Sequence, residues 1–407
     1  MTVSLILLNS YMLPRTGNIT KTCIVTPEYP PDQWGGLART VENVSRHVRN
    51  MGIEVHVAHF TVTDEPMILL DENRKDELID GVMVHRLIIG TEDLSGRPST
   101  MWGSPYTRTF KMMYQSLEIL HGVESFDLFH SFFLFPVGYI AGLFARKEGR
   151  PSIVTIVGND VKKYIFSLEK VAMCKSGLEN ADKVVALSQD LLDTADALSP
   201  IKGKAQIIYN SVSIPTASWM PHSVKDNAFH IGSAGIFKYA KGLPYLFKAM
   251  TELRKRHNVT LELTGTIRDS EQKTCEDMIK RTGIRDILTF RPAVSHEKMN
   301  DWLLSLDAFV LPSVSEGCPN ILMEAMACGL PCVATRVGAV ENLMEDGISG
   351  FVVPWGSANA IAGALERIIA LPDRGLALGT AARERMTNFS LERERREWEQ
   401  VYRQFDE

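Results

Sequence analysis

Short apolar runs alternate with longer stretches of helical periodicity along almost the whole chain. That is the pattern of strand–helix units built into mostly parallel sheets. The first unit is the clearest. Thr22, Cys23, Ile24, Val25 and Thr26 read as a buried strand and 27–34 as a loop. Gly35-Gly36 then opens a helix in which Leu37, Val41, Val44 and Val48 recur at helical spacing. Gly52 closes that helix, and 53–58 returns as the next strand. Further strands are predicted at 82–89, 128–129, 153–157, 183–187 and 206–209. A second series starts near His230, with strands at 231–236, 260–263, 287–290, 307–311, 332–335 and 351–353. A helix is predicted at 243–256, and others lie between the later strands.

The polar, proline-bearing stretch 211–226 separates the two series and reads as a linker. The expected fold is therefore α/β, with two Rossmann-like, doubly wound parallel-sheet domains facing a cleft. Their boundaries are 1–215 and 225–387, and a charged helix at 388–407 completes the first domain through Trp398, Val401 and Tyr402. In such sheets ligands sit at the carboxyl ends of the strands.

Composition narrows the classes. At 45% hydrophobic and 23% charged, the chain has the globular average, which excludes disorder as its main state. The 44 Lys and Arg against 49 Asp and Glu leave a net charge of -5, which argues against a nucleic-acid binder working through bulk electrostatics. The six cysteines form no C-x-x-C pair, as expected of reduced thiols rather than a disulfide framework or a zinc site. No window holds about 18 consecutive apolar residues, so no membrane span is predicted. Residues 3–13 are apolar-rich but lack the charged flank and cleavage site of a signal peptide. They read as an extension before the first strand, and the expected location is cytoplasmic.

The most informative segment runs from Leu311 to Gly329 and reads as strand, tight loop and helix. Pro319 suits the first turn of that helix and Gly329 the residue after its end. Glu316 lies in the loop at the helix mouth, and Glu324 lies on its second turn. Free amides and the dipole at a helix start attract an anion such as phosphate. Two carboxylates there serve better as acceptors from neutral sugar hydroxyls. Either Glu alone would be an ordinary exposed charge. Glu324, however, interrupts the apolar run Ile321-Leu322-Met323 and Ala325-Met326-Ala327, where a carboxylate is costly without partners. Anion-binding amides flanked by hydroxyl-binding carboxylates describe a nucleotide-sugar site.

The arrangement E-x7-E, here Glu316 and Glu324 within Ser315-Glu316-Gly317-Cys318-Pro319-Asn320, resembles the signature of retaining glycosyltransferases of family 4. The resemblance continues through Val333 to Glu341, through Asp346-Gly347-Ile348-Ser349-Gly350-Phe351, and through Pro27-Glu28-Tyr29-Pro30-Pro31 with Gly35-Gly36. It covers about 22–407 and implies the GT-B fold, two Rossmann-like domains with the nucleotide-sugar in the second and the acceptor largely in the first. It implies that Glu316 contacts donor-sugar hydroxyls and Glu324 the ribose, while backbone amides around Cys318, Pro319 and Asn320 meet the sugar and distal phosphate. Lys241-Gly242 resembles the Lys-Gly that binds the diphosphate. Many relatives carry Arg five residues earlier, where this chain has Ile236, and Lys238 is expected to substitute. His130, in Asp127-Leu128-Phe129-His130, resembles a histidine near the reacting centre, at the end of a strand beside the cleft. Asn159 and Asp160 after Gly158 resemble an acceptor-side loop, and Gly35 or Gly36 would let backbone approach the diphosphate where a Cβ would block it.

Neither the G-x-x-x-x-G-K-[ST] nor the G-x-G-x-x-G motif occurs, so ATPase and dehydrogenase readings lack their signatures. No D-x-D pair or metal-ligand spacing follows a strand, so no metal and no cofactor is expected. The expected partners are a nucleotide diphosphate sugar and a hydroxyl acceptor, whether glycan, lipid-linked or small. No nucleic acid is expected. Peripheral membrane contact through 101–114, with its aromatics, Arg108 and Lys111, is a further expectation, against which the net negative charge counts. A non-catalytic nucleotide-sugar binder and an epimerase or phosphorylase on the same scaffold stay open, because fold does not choose among them.

Overall fold

The computed structural model of the chain describes residues 18–31, 35–63, 74–90, 107–221 and 228–406. The apolar segment 3–13, loop residues 32–34, residues 101–106 of the aromatic segment and 222–226 of the linker lie outside the described residues. Eight strands form the first sheet: β1 (Lys21–Thr26), β2 (Glu54–Thr63), β3 (Arg74–Ile79), β4 (Val82–Gly90), β5 (Leu128–Phe132), β6 (Ser152–Ile156), β7 (Lys183–Ala186) and β8 (Ala205–Ile207). Their order is β3-β4-β2-β1-β5-β6-β7-β8. The second sheet holds β9 (Phe229–Phe237), β10 (Val259–Ile267), β11 (Leu288–Arg291), β12 (Ala308–Leu311), β13 (Cys332–Thr335) and β14 (Phe351–Val353), in the order β11-β10-β9-β12-β13-β14.

Every strand pair is parallel except β3–β4. Helices cover both faces of a parallel sheet, which is why β5, β6, β12 and β13 are buried along their whole lengths. β3 departs from the sequence expectation. Its sequence Arg-Lys-Asp-Glu-Leu-Ile has no apolar run, because it is an edge strand whose charges also block edge-to-edge pairing. In each sheet the chain builds outward to one side and then returns to the other. The switch points fall between β1 and β5 and between β9 and β12. Ligands of doubly wound sheets bind at the carboxyl ends of such strands.

The last helix, Leu391–Arg403, returns to the first domain. It buries Trp398, Val401 and Tyr402 among Val41, Val44 and Leu128. His130 is part of that staple, and here the sequence expectation is corrected. β5 runs on to Phe132, so His130 sits inside the strand and not at its cleft end, and it is fully buried. Its Nδ1 lies 2.9 Å from the Tyr402 hydroxyl and its Nε2 lies 2.8 Å from Thr155 Oγ1. The ring stacks on Phe132 at 4.4 Å and meets Trp398 at 5.1 Å. Burial pushes its pKa down to about 3, so the imidazole is neutral.

This yields a pH prediction. The unfolded chain takes a proton on His130 below about 6.5 while the fold refuses one until about 3, so stability is lost as pH falls through that window. The expected contribution is about 1.4 kcal/mol per pH unit. In urea unfolding between pH 4 and 6.5, His130→Gln should lower stability at neutral pH and flatten the slope by about that amount. An unchanged slope would show that His130 is not the titrating group.

Candidate active site

A cavity of about 460 Å³ opens between the carboxyl ends of the two sheets. It is within the size range of small-molecule and cofactor sites. The second domain contributes Lys238 and Lys241 after β9, Arg268 after β10, and residues 316–321 with Glu324 after β12. The first contributes Glu28, Gly35, Gly36 and Arg39 after β1, and Phe133 after β5.

Lys241 and Glu316 meet because two loops are pressed together. Gly242 has φ +67°, and a Cβ there would lie 1.9 Å from the carbonyl oxygen of Pro312. Only glycine fits such a turn without strain. It seats the loop after β9 on the loop after β12, and Lys241 Nζ donates to Glu316 Oε1 at 2.7 Å. Ser313 Oγ donates to the same oxygen at 2.6 Å. Lys238 is half-buried on the same wall, and no carboxylate among the described residues pairs with it. Burial lowers its pKa, and the charges of Arg268 and Lys241 lower it further. Ile236 is exposed in the cavity.

The helix Asn320–Ala327 starts at the cavity. Its first amides have no intrahelical acceptor and leave a positive end. Pro319 takes the capping position just before it, with its carbonyl accepting from Leu322 at 3.1 Å. Asn320 ties this start to the first domain. Its Oδ1 accepts from Asn210 Nδ2 at 2.6 Å, and its Nδ2 donates to the Gly36 carbonyl at 3.4 Å. Glu324 is 5% exposed, and its partner is the guanidinium of Arg39 from the helix Gly36–Asn50. Gly317 lies against the backbone of the first domain, since a Cβ there would lie 2.1 Å from the Val157 carbonyl oxygen. The Cys318 thiol is buried, raised to about 12 and set against Met323, so it offers no nucleophile.

The structure therefore gathers Gly35, Gly36, Lys238, Lys241, Glu316, Cys318, Pro319, Asn320 and Glu324 around one cavity. Asp160 does not join them. It is fully buried, and its carboxylate accepts from the backbone amides of Gly158 at 2.7 Å and Val157 at 3.2 Å. It shapes the turn after β6 and cannot reach an acceptor, and burial pushes its pKa up to about 6. Asn159 opens the short helix after that turn, and its side chain lies outside what the structure describes. Sequence reading missed Arg39, Arg268, Phe133 and a role for Glu28, whose carboxyl is raised by burial. Of these only Glu28 carried a signal, as part of Pro27-Glu28-Tyr29.

Among the described residues, one cluster has metal-like spacing: Glu54, His56 and Glu124. It lies at the amino end of β2, away from the cleft. Lys21 Nζ already stands 3.0 and 3.1 Å from its two carboxylates and supplies the positive charge.

Comparison with known proteins agrees with this geometry. Residues 34–214 match the family described as Glycosyltransferase Family 4, and residues 228–370 match Glycosyl transferases group 1. A D-inositol 3-phosphate glycosyltransferase of Paenarthrobacter aurescens is 36% identical over 146 residues, covering 35% of this chain and 36% of that relative's length. An uncharacterized glycosyltransferase of Methanocaldococcus jannaschii is 27% identical over 380 residues, covering 86% and 89% of the two chains. Among solved structures, sucrose-phosphate synthase from Thermosynechococcus elongatus superposes with a TM-score of 0.75 at 21% identity, over 95% of this chain and 98% of that one. Anabaena HepE, solved with UDP and glucose, superposes at 0.70 and 17% identity, over 93% and 98%. With its two halves matched in order by these two families, and its fold shared with glycosyltransferases almost end to end, the chain belongs to the family 4 glycosyltransferases of GT-B fold.

Proposed function

We propose that the protein transfers a glycosyl group from a nucleotide diphosphate sugar to a hydroxyl acceptor, with retention of anomeric configuration and without a metal ion. One observation carries this reading: Lys241, Glu316 and Glu324 share a cavity with the start of the helix Asn320–Ala327 and the ammonium of Lys238, which pairs with no described carboxylate. As the glycosidic bond breaks, negative charge grows on the departing diphosphate. Lys241, Lys238 and the helix start are fixed in place to receive it, which is the arrangement that lowers such barriers most. Glu316, held by Lys241 and Ser313, accepts from sugar hydroxyls. Its task is to position the donor. Attack comes on the face from which the leaving group departs, and a phosphate oxygen of that group takes the acceptor proton. Glu324 accepts from the ribose hydroxyls, and Arg39 keeps it aimed. HepE, solved with UDP-glucose, supports a nucleotide-sugar donor by shared fold alone. The cytoplasm is the proposed location.

Lys241→Ala and Glu316→Gln should each lower turnover about a hundredfold, equal to about 3 kcal/mol of barrier. Melting temperatures should stay near that of the wild type. The donor is found first by a thermal-shift screen against UDP, GDP, ADP and their sugars, since a ligand that binds only the fold raises its melting temperature. NMR of the product then reads the anomer, and activity should persist in EDTA. Near-normal transfer by both variants would remove the assignment. Product analysis giving an epimer or a sugar phosphate, or no turnover at all, would select the alternatives.

Arg39→Ala leaves Glu324 almost buried without its cation. Calorimetric affinity for the nucleoside diphosphate found in that screen should fall about tenfold, the worth of one lost charged contact. Arg39→Lys should recover part of it. Unchanged affinity in Arg39→Ala would place the nucleoside elsewhere.

A further inference from the structure

The two most exposed large apolar side chains among the described residues stand two positions apart, Phe166 at 83% and Leu168 at 92% exposed. They flank Ser167 where the turn Tyr164–Phe166 passes into the helix Leu168–Asn180. Nothing about folding favours leaving both in water, since burying either would remove apolar surface from solvent. Lysines surround them. Between Val161 and Lys170 three lysines face one carboxylate, Glu169. Lys162 is paired with Asp190 at 2.6 Å. Lys163 is exposed and pairs with no described carboxylate. Lys170 lies over the Tyr164 ring at 4.7 Å and the Phe135 ring at 5.2 Å.

The patch adjoins the cleft. Tyr164 packs on Phe133, which lines the cavity, at 6.1 Å, and on Phe135 at 5.4 Å. Phe110, in the helix Thr107–Glu124, packs on Phe135 at 5.7 Å, and its neighbour Lys111 is exposed. An aromatic track thus leads from the cavity wall to an apolar tip ringed by cations, and the charge of Lys163 is felt at Lys238 inside the cleft.

We infer that the segment 163–168 docks the protein on an anionic lipid bilayer, with Phe166 and Leu168 entering the acyl boundary and Lys163, Lys170 and Lys111 meeting the headgroups. Aromatic and aliphatic tips beside lysines are the chemistry of an interfacial anchor, and each lysine near an anionic surface strengthens the attraction. Charge complementarity selects this occupant over an apolar protein surface, which would leave the lysines facing nothing. The contact differs from the 101–114 surface expected from sequence, though Phe110 and Lys111 belong to both. It stands independently of the transfer reading. Its consequence for the acceptor, a hydroxyl presented at the bilayer and led along the aromatic track, rests on that reading.

The test is flotation of the full chain with phosphatidylcholine vesicles, with and without phosphatidylglycerol. Binding is expected to the anionic vesicles, to weaken with salt, and to fall at least about tenfold in F166S/L168S and about tenfold in K111E/K163E. Both positions are at the surface, so the nucleoside diphosphate thermal shift should persist in each variant. Loss of that shift with vesicle binding intact would count against the transfer site and not the anchor. All six native cysteines are buried, so L168C can be labelled alone with an environment-sensitive fluorophore, whose emission should shift to the blue on anionic vesicles. Three outcomes would overturn the inference: no vesicle binding, full binding by F166S/L168S, or a wild-type dimer that F166S/L168S dissolves, which would make a second copy the occupant.

Discussion

The cleft depends on one close approach of backbone. Gly242 leaves no room for a side chain against Pro312, and that contact brings a lysine from one loop to a glutamate 75 residues away on the next. A half-buried ion pair gains little by itself, because desolvation offsets much of its Coulomb attraction. Here the pair is held by a turn that backbone sterics dictate, and the Ser313 hydroxyl meets a further lone pair of Glu316. The energy that fixes the geometry therefore comes from loop packing. The charges themselves remain available to a ligand, which is what preorganisation requires.

The second constraint is the seam between the domains. Gly317 lies against the Val157 carbonyl, Asn320 reaches Asn210 and Gly36, and Arg39 reaches Glu324. Each is a polar or backbone contact whose partners water can also satisfy, and such bonds typically contribute only about 1 kcal/mol net. Beneath these contacts the apolar packing is continuous, since one buried cluster holds Leu191 and Val212 of the first domain with Leu322 and Met323 of the second. The ion pair of Arg39 with Glu324 also makes the placement of that carboxylate answer to the position of the first domain.

Almost every buried strand was legible, because strands covered on both faces by helices must be continuous apolar runs, as in Cys332 to Thr335 and Phe351 to Val353. β3 was not, since an edge strand carries its charges outward and breaks that pattern. The second-domain wall of the site was legible because its residues are neighbours in sequence, from Glu316 to Glu324. The first-domain wall was not, because Arg39 and Phe133 acquire meaning only when two domains meet. His130 and Asp160 failed for a related reason. His130 lies inside β5 and Asp160 in the turn after β6, but a strand has two faces and a turn has an inside. A motif does not say whether a polar side chain faces the cleft or is spent on Tyr402 and Thr155, or on the amides of Gly158 and Val157.

What remains is charge. The whole chain carries -5, yet the cavity lining holds Arg39, Lys238, Lys241 and Arg268 against Glu28, Glu316 and Glu324. Pairing sharpens this contrast. Glu316 is taken by Lys241 and Glu324 by Arg39, and Glu28 is pushed by burial toward its neutral form. The cations with no carboxylate partner among the described residues are then Lys238 and Arg268, on adjacent strand ends, and burial already disfavours the charge on the first. A cleft with low-dielectric walls focuses the field of such groups. Two uncompensated cations beside a helix start match a ligand with two adjacent negative groups, and a single phosphate would leave one of them unmet. Arg268, one strand over from Ile236, lines the same cavity and adds a positive charge there.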